Sequence, residues 1–175
     1  GHFFMQIDPW LREGLSLDEV KERSPLLKIS TESVSKLGAL GYVLSASDDV
    51  ALRTLEELER DVIQLYGGVA AEELFYGPRG ISVGSQNDIE KATAMLDLMV
   101  NKLSMYSRSK IDHSQFKSKE AGLDQVQAKA DELYNYTLTS IADYREQIME
   151  LKDVLMEQYV LSKDAIFALL EQQQS

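Results

Sequence analysis

Cysteine is absent from the 175-residue chain, and histidine occurs only twice, at His2 and His113. The first absence excludes disulfides and thiolate ligands, so any metal would have to be held by His, Asp or Glu. The second excludes a complete site of several imidazoles built from this chain alone. No apolar run approaches the roughly 20 residues that a membrane span requires, and no charged, apolar and small-residue series marks a signal peptide. Basic residues are the minority, 18 against 29 acidic ones, for a formal net charge of -11. A surface of that sign does not track phosphates, so a nucleic-acid role is disfavoured. There is also no GxGxxG fingerprint, phosphate loop or GxSxG elbow, and nucleotide binding and serine hydrolase chemistry find no support.

What is present suits one soluble globular domain, or a tight pair of subdomains sharing one core: 44% of the residues are apolar and 27% charged, the usual proportions of a chain with a real core. The only strand candidates are "LLKIST" and "LGYVLS", apolar and β-branched. Helices must supply the rest, so the fold is read as mainly α with a small β-hairpin or edge strand in the N-terminal third. The apolar start (Phe3, Phe4, Met5, Ile7) runs into the breaker pair Asp8-Pro9. After it, "SLDEVKER" reads as a short helix with a Ser16/Glu19 capping box, ended by Pro25. Asp48 or Asp49 can cap a helix carrying Leu55, Leu58, Val62 and Leu65. Gly67-Gly68 then permits a tight joint to a second helix, "VAAEELFY", closed by Gly77-Pro78.

The clearest helical stripe is Ile89, Ala92, Leu96, Met99 and Leu103. The segment "SRSKIDHSQFKSKEAG" loses periodicity and reads as a surface loop. From Leu123 a three-or-four spacing continues through Leu155 as one long helix or two nearly continuous ones. A break at "QYVLS" precedes a last helix that Ser162 can cap. The expected division is residues 1–110, a loop at 111–122, and a C-terminal helical part at 123–175.

Few residues can carry chemistry. Asp88, in "SVGSQNDIEKAT", follows a glycine-containing loop and opens a helical pattern. It reads either as a first-turn carboxylate favoured by the helix dipole, about 0.3–1 kcal/mol, or as an oxygen ligand to zinc. His2 also reads two ways: with Gly1 as the remnant of an expression tag, or as the closing histidine of an HExxH zinc helix whose first histidine and glutamate lie upstream. His113, among Ser and Lys, reads as a solvated surface residue. Glu72 and Glu73 are adjacent on a helix and diverge by about 100°, which argues against a shared-proton dyad. Met95 and Met99 read as core filler rather than a ligand groove.

Three ordered blocks, "LYGGVAAEELFYG", "GISVGSQNDIEKAT" and "LMEQYVLSKDAIFALLE", resemble the peptidase domain of FtsH-type AAA+ zinc metalloproteases, over about Leu27 to Glu171. The resemblance implies a mainly helical domain with zinc held by two HExxH histidines and an aspartate matching Asp88, with His2 as the histidine nearest this chain's start. It implies that the general-base glutamate is not among these residues, and that ATP enters only through an ATPase module outside them. An edge strand resembling "KLGALGYV" implies extended polypeptide substrates held by strand addition at Leu40, Gly41, Tyr42 and Val43. It further implies a homo-hexamer and a membrane-anchored parent with this domain on the cytoplasmic side. The chain departs from the family pattern at Val69, where arginine is usual, and at Ser85 and Gln86, where a small apolar residue is usual. Its tract from His2 to Leu27 is long, and the loop after Ser107 matches poorly. A degenerate, non-catalytic helical scaffold derived from the same family is the competing expectation.

Overall fold

The structure, a computed structural model, describes residues 1–31, 42–45, 53–115 and 120–174. Its elements run α1 (His2–Arg12), α2 (Leu17–Arg23), β1 (Leu26–Ser30), β2 (Tyr42–Ser45), α3 (Leu55–Tyr76), α4 (Gln86–Asp97), α5 (Glu120–Asp143), α6 (Arg145–Gln158), β3 (Val160–Ser162) and α7 (Lys163–Gln174). The mainly α reading holds. The strands form one antiparallel sheet in the order β2-β1-β3, so the two N-terminal strands acquire a third from the "QYVLS" break. That strand is entered through Tyr159, at φ 62°, whose carbonyl accepts the Thr31 N–H at 2.9 Å.

Asp8-Pro9 does not break the first helix: α1 passes through Pro9 and ends only at Arg12. A proline inside a helix forfeits one hydrogen bond and costs about 3 kcal/mol. Against it stand Phe3, Phe4, Met5 and Ile7, none more than 2% exposed, each worth roughly 1.5–3 kcal/mol on burial. Burial wins. Edge-to-face contact of Phe3 with Phe4 and with Phe167 of α7 ties the helix into the common core. The α2 start follows its sequence signal, with Glu19 N–H on Ser16 Oγ and Ser16 N–H on Glu19 Oε2.

Two further readings are corrected. α3 is one helix of 22 residues that runs straight through Gly67-Gly68, not two helices joined there. Its cap is Thr54, with Glu57 completing the capping box; Asp48 and Asp49 lie outside the described residues. The start signal was Thr-x-x-Glu just ahead of the apolar spacing. On α4, Ala92 and Leu96 are buried, as is Met99 in the π turn (Leu98–Lys102) that extends it. Ile89 at 42% and Leu103 at 46% exposure fall off the core face: Ile89 sits near the start of α4, and Leu103 follows the π turn, whose wider winding breaks the register of the α turns before it.

At the far end of α1, Asp8 is wholly buried. Its carboxylate accepts from Arg12 Nε at 2.9 Å, from Tyr144 Oη at 2.8 Å and from Tyr136 Oη at 3.1 Å, while Arg12 also reaches Asp143 at 2.9 Å. Burial, and then the bond to Asp8, push the Tyr144 phenol above its usual range. This cluster pins α1 to the α5–α6 corner. Asp8→Ala leaves donors without an acceptor, and since Arg12 is 46% exposed and can rehydrate, the expected loss is about 2–3 kcal/mol. Urea denaturation checks this; a loss under about 0.5 kcal/mol, the scale of an ordinary surface substitution, would show the cluster to be peripheral.

Candidate metal centre

The opposite end of α1 carries His2, and two features of α3 hold its ring. Nδ1 lies 2.8 Å from the Gln64 carbonyl oxygen. A carbonyl can only accept, so Nδ1 carries a proton and Nε2 is the nitrogen free to ligate. One turn further along, a Cβ on Gly68 would sit 2.7 Å from both Cε1 and Nε2 of that ring. The space over Gly68 is filled by the imidazole itself. The neighbouring Gly67 lets the backbones approach: a Cβ there would meet Gly1 O at 2.9 Å and Met5 Cγ at 2.8 Å.

Asp88 comes from the other side, in the first turn of α4. Its Oδ2 lies 3.2 Å from His2 Nε2, with the two side chains 23% and 31% exposed respectively. Ser85 holds the N-cap position of α4 but makes no cap bond with its side chain. Its hydroxyl instead donates to Glu72 Oε2 at 3.0 Å. Burial, the largest single influence on Asp88, works against ionisation, but the hydrogen bond and charge of His2, with Lys91, together hold the carboxyl below its usual range.

With Nδ1 committed to Gln64, Nε2 and the carboxylate face each other across a short gap. A second proton on the ring or a cation between the two satisfies both. Zinc bound to nitrogen and oxygen at about 2.0–2.2 Å with tetrahedral angles separates its ligand atoms by about 3.3–3.6 Å. The observed 3.2 Å falls just under that span, and a backbone-oriented imidazole beside a carboxylate is a chemically apt donor pair. The residues present therefore fit two corners of a zinc site. No cluster of three or more His, Asp or Glu converges anywhere among the described residues.

The other candidates divide. His113 sits exposed in a single turn of 3-10 helix (His113–Gln115). Met99 is core, and Met95 packs against the core. Glu73 accepts from Tyr134 Oη at 2.5 Å, and Glu72 faces elsewhere, toward Ser82 and Ser85; they form no dyad. Tyr42 and Val43 lie on the outer strand β2, opposite Ser30 and Ile29 of β1. Leu40 and Gly41 fall outside the described residues. Val69, where the resembling family carries arginine, is 4% exposed and apolar within the helix-packed interior. The roles of Gln64, Gly68 and Glu72 were not drawn from the sequence; their spacing of four is visible there, but their partners are contributed by distant segments.

A helical domain that presents an imidazole and an aspartate to one point has the donor chemistry of a metallopeptidase. The chain belongs to peptidase family M41, whose statistical model matches residues 18–169, a span that includes Asp88 and begins after α1. It is 29% identical over 167 residues to a mitochondrial ATP-dependent zinc metalloprotease, FTSH 8, of Oryza sativa subsp. japonica, covering 86% of this chain and 20% of that protein. It is 31% identical over 153 residues to the ATP-dependent zinc metalloprotease FtsH of Pseudothermotoga lettingae, covering 76% and 24%. Over 67 residues it is 46% identical to the FtsH of a Sulfurovum species. The chain thus spans about a fifth to a quarter of the length of such relatives. No helix among the described residues is long and apolar enough to cross a membrane.

The glycine pair makes a contrast that can be measured. In Gly68→Ala the new Cβ meets the far end of a side chain, so the His2 ring moves while the helix gains about 0.5–1 kcal/mol from losing a glycine. In Gly67→Ala the Cβ meets backbone, and α1 itself must shift. Gly68→Ala is therefore expected to keep or raise thermal stability while breaking the His2 contacts seen in ring NMR shifts, and Gly67→Ala to lower stability. Equal behaviour of the two would contradict the crossing described.

Proposed function

We propose that the chain is the proteolytic domain, without its complete catalytic set, of an ATP-dependent zinc metalloendopeptidase, with Asp88 and His2 as two of the zinc ligands. The observation that carries this reading is the 3.2 Å approach of Asp88 Oδ2 to His2 Nε2, on an imidazole whose other nitrogen is fixed by Gln64. Membership of family M41 and the names of the relatives support it. If His2 closes an HExxH motif, the general-base glutamate and the other histidine stand three and four residues ahead of it on the same helix, in a longer polypeptide.

Bound there, zinc would polarise a scissile carbonyl and lower the pKa of a water molecule. The residues of this chain orient and neutralise: Gln64 sets the tautomer of His2, and Asp88 offsets cationic charge. Polypeptide substrates would lie extended along β2, which in the described sheet pairs on one side only, with Tyr42 and Val43 supplying backbone hydrogen bonds. Assembly into a homo-hexamer, and ATP hydrolysis by a separate module, complete the reading by resemblance.

The test is zinc content and peptidase activity of the full encoded polypeptide. Asp88→Ala is expected to weaken zinc binding by more than the roughly 10–100-fold that loss of an outer partner costs, and to abolish peptide hydrolysis. The exposed Glu90→Ala on the same helix is expected to change neither. Unaltered zinc in Asp88→Ala, or none in the native protein, would overturn the reading in favour of a non-catalytic scaffold.

A further inference from the structure

Gln64, Gly68 and Glu72 follow one another at spacings of four along α3, and so share one side of it across about 12 Å of axis. The first two hold His2. The third does for the Asp88 side what they do for the imidazole. Glu72 Oε1 accepts from Ser82 Oγ at 2.9 Å, and its Oε2 accepts from Ser82 N–H at 2.7 Å and Ser85 Oγ at 3.0 Å. We propose that Glu72 is a positioning residue for Asp88, and that the Gln64–Gly68–Glu72 row of α3 is the common template on which both halves of the metal centre are set. This rests on the proposed zinc reading.

The clasp holds the entry to α4 and forgoes a helix cap. Ser82 opens the 3-10 turn (Val83–Ser85) that leads directly into α4, and Ser85 is the N-cap residue of that helix. Fixing both fixes where the first turn begins, and hence where Asp88, three residues on, is carried. A serine at an N-cap ordinarily bonds its own helix, worth about 1 kcal/mol. Ser85 gives this up for a bond to Glu72 and is buried doing so. The local helix is left less well capped while the tertiary anchor gains a second strand of bonding. Glu72 is not itself a ligand in this arrangement, because its two oxygens already serve three donors, and it is not an acid–base partner of Glu73, which is turned to Tyr134.

The experiment uses the full encoded polypeptide and Zn²⁺ or Co²⁺ alone as the probe, reading metal affinity, the Co²⁺ absorption spectrum and amide hydrogen exchange at Ser82 and Gly84. Glu72→Ala is expected to weaken zinc binding by about 10–100-fold, the usual cost of an outer partner. It should also alter the cobalt spectrum and speed exchange at both amides, with a small change in Tm. Glu72→Gln, which keeps an oxygen for the Ser82 N–H, is expected to recover part of the affinity. If Glu72→Ala does not fold, the double variant Ser82→Ala/Ser85→Ala removes both hydroxyl donors of the clasp from the loop side and decides by metal affinity and the cobalt spectrum. Native affinity and spectrum in the clasp variants, with metal lost in Asp88→Ala, would overturn this inference and leave the zinc reading standing. Native metal binding in Asp88→Ala as well would overturn both.

Discussion

The distance at which α1 crosses α3 governs the arrangement of this molecule. Gly1 and Gly67 meet glycine against glycine: a Cβ on Gly1 would fall 1.8 Å from the Gly67 carbonyl oxygen, and one on Gly67 would fall 2.9 Å from Gly1 O. Such an approach is open only to residues without side chains. From it follow the seating of the His2 ring on Gly68, the bond from Nδ1 to Gln64, and the burial of Phe3, Phe4, Met5 and Ile7 between α3, α7 and the helices behind them. Were the axes separated by one methyl group more, the imidazole would withdraw from Asp88 and the apolar face of α1 would lose its fit, since interiors are packed too tightly to absorb such a shift elsewhere.

A crossing fixed at one point still leaves a helix free to pivot. The Asp8 cluster removes that freedom at the other end. One buried carboxylate gathers Arg12, Tyr136 and Tyr144 from α1, α5 and the α5–α6 corner. The site end of α1 is held by close contact and shape, the remote end by charge and hydrogen bonding. Separating the two devices keeps the one carboxylate of α1 away from the candidate site: Asp8 is satisfied by its own donors, while His2 faces Asp88 of α4.

Much of this was legible in the sequence where the signal was local. The Ser16/Glu19 box, the apolar spacing from Leu55 and the Ser162 cap each depend on residues within a turn of one another. The failures were tertiary. Asp8-Pro9 carries a breaker's chemistry, and only the burial of its neighbours keeps the helix intact. Gly67-Gly68 has the look of a joint, yet its permissiveness serves a different helix, arriving from more than 60 positions earlier in the chain. Of the candidate site, His2 and Asp88 could be singled out by residue type and resemblance, whereas Gln64 contributes a backbone carbonyl that no side-chain pattern can advertise. Glu72 was weighed only as one of an adjacent pair with Glu73, and its partners Ser82 and Ser85 lie across a loop whose path the sequence did not reveal.

The match to family M41 begins at Asp18, and the place of the preceding segment in the fold has to be argued on contacts alone. α1 contributes four core side chains exposed by 2% or less. At roughly 1.5–3 kcal/mol each, their combined burial is comparable to the whole net stability of an ordinary domain, about 5–15 kcal/mol. A segment carrying that share is not an appendage to the matched region; α3 would present its glycine-lined face to water without it. Stability and the candidate site thereby draw on the same surface, with Gly67 serving the packing and Gly68, one residue on, seating the imidazole.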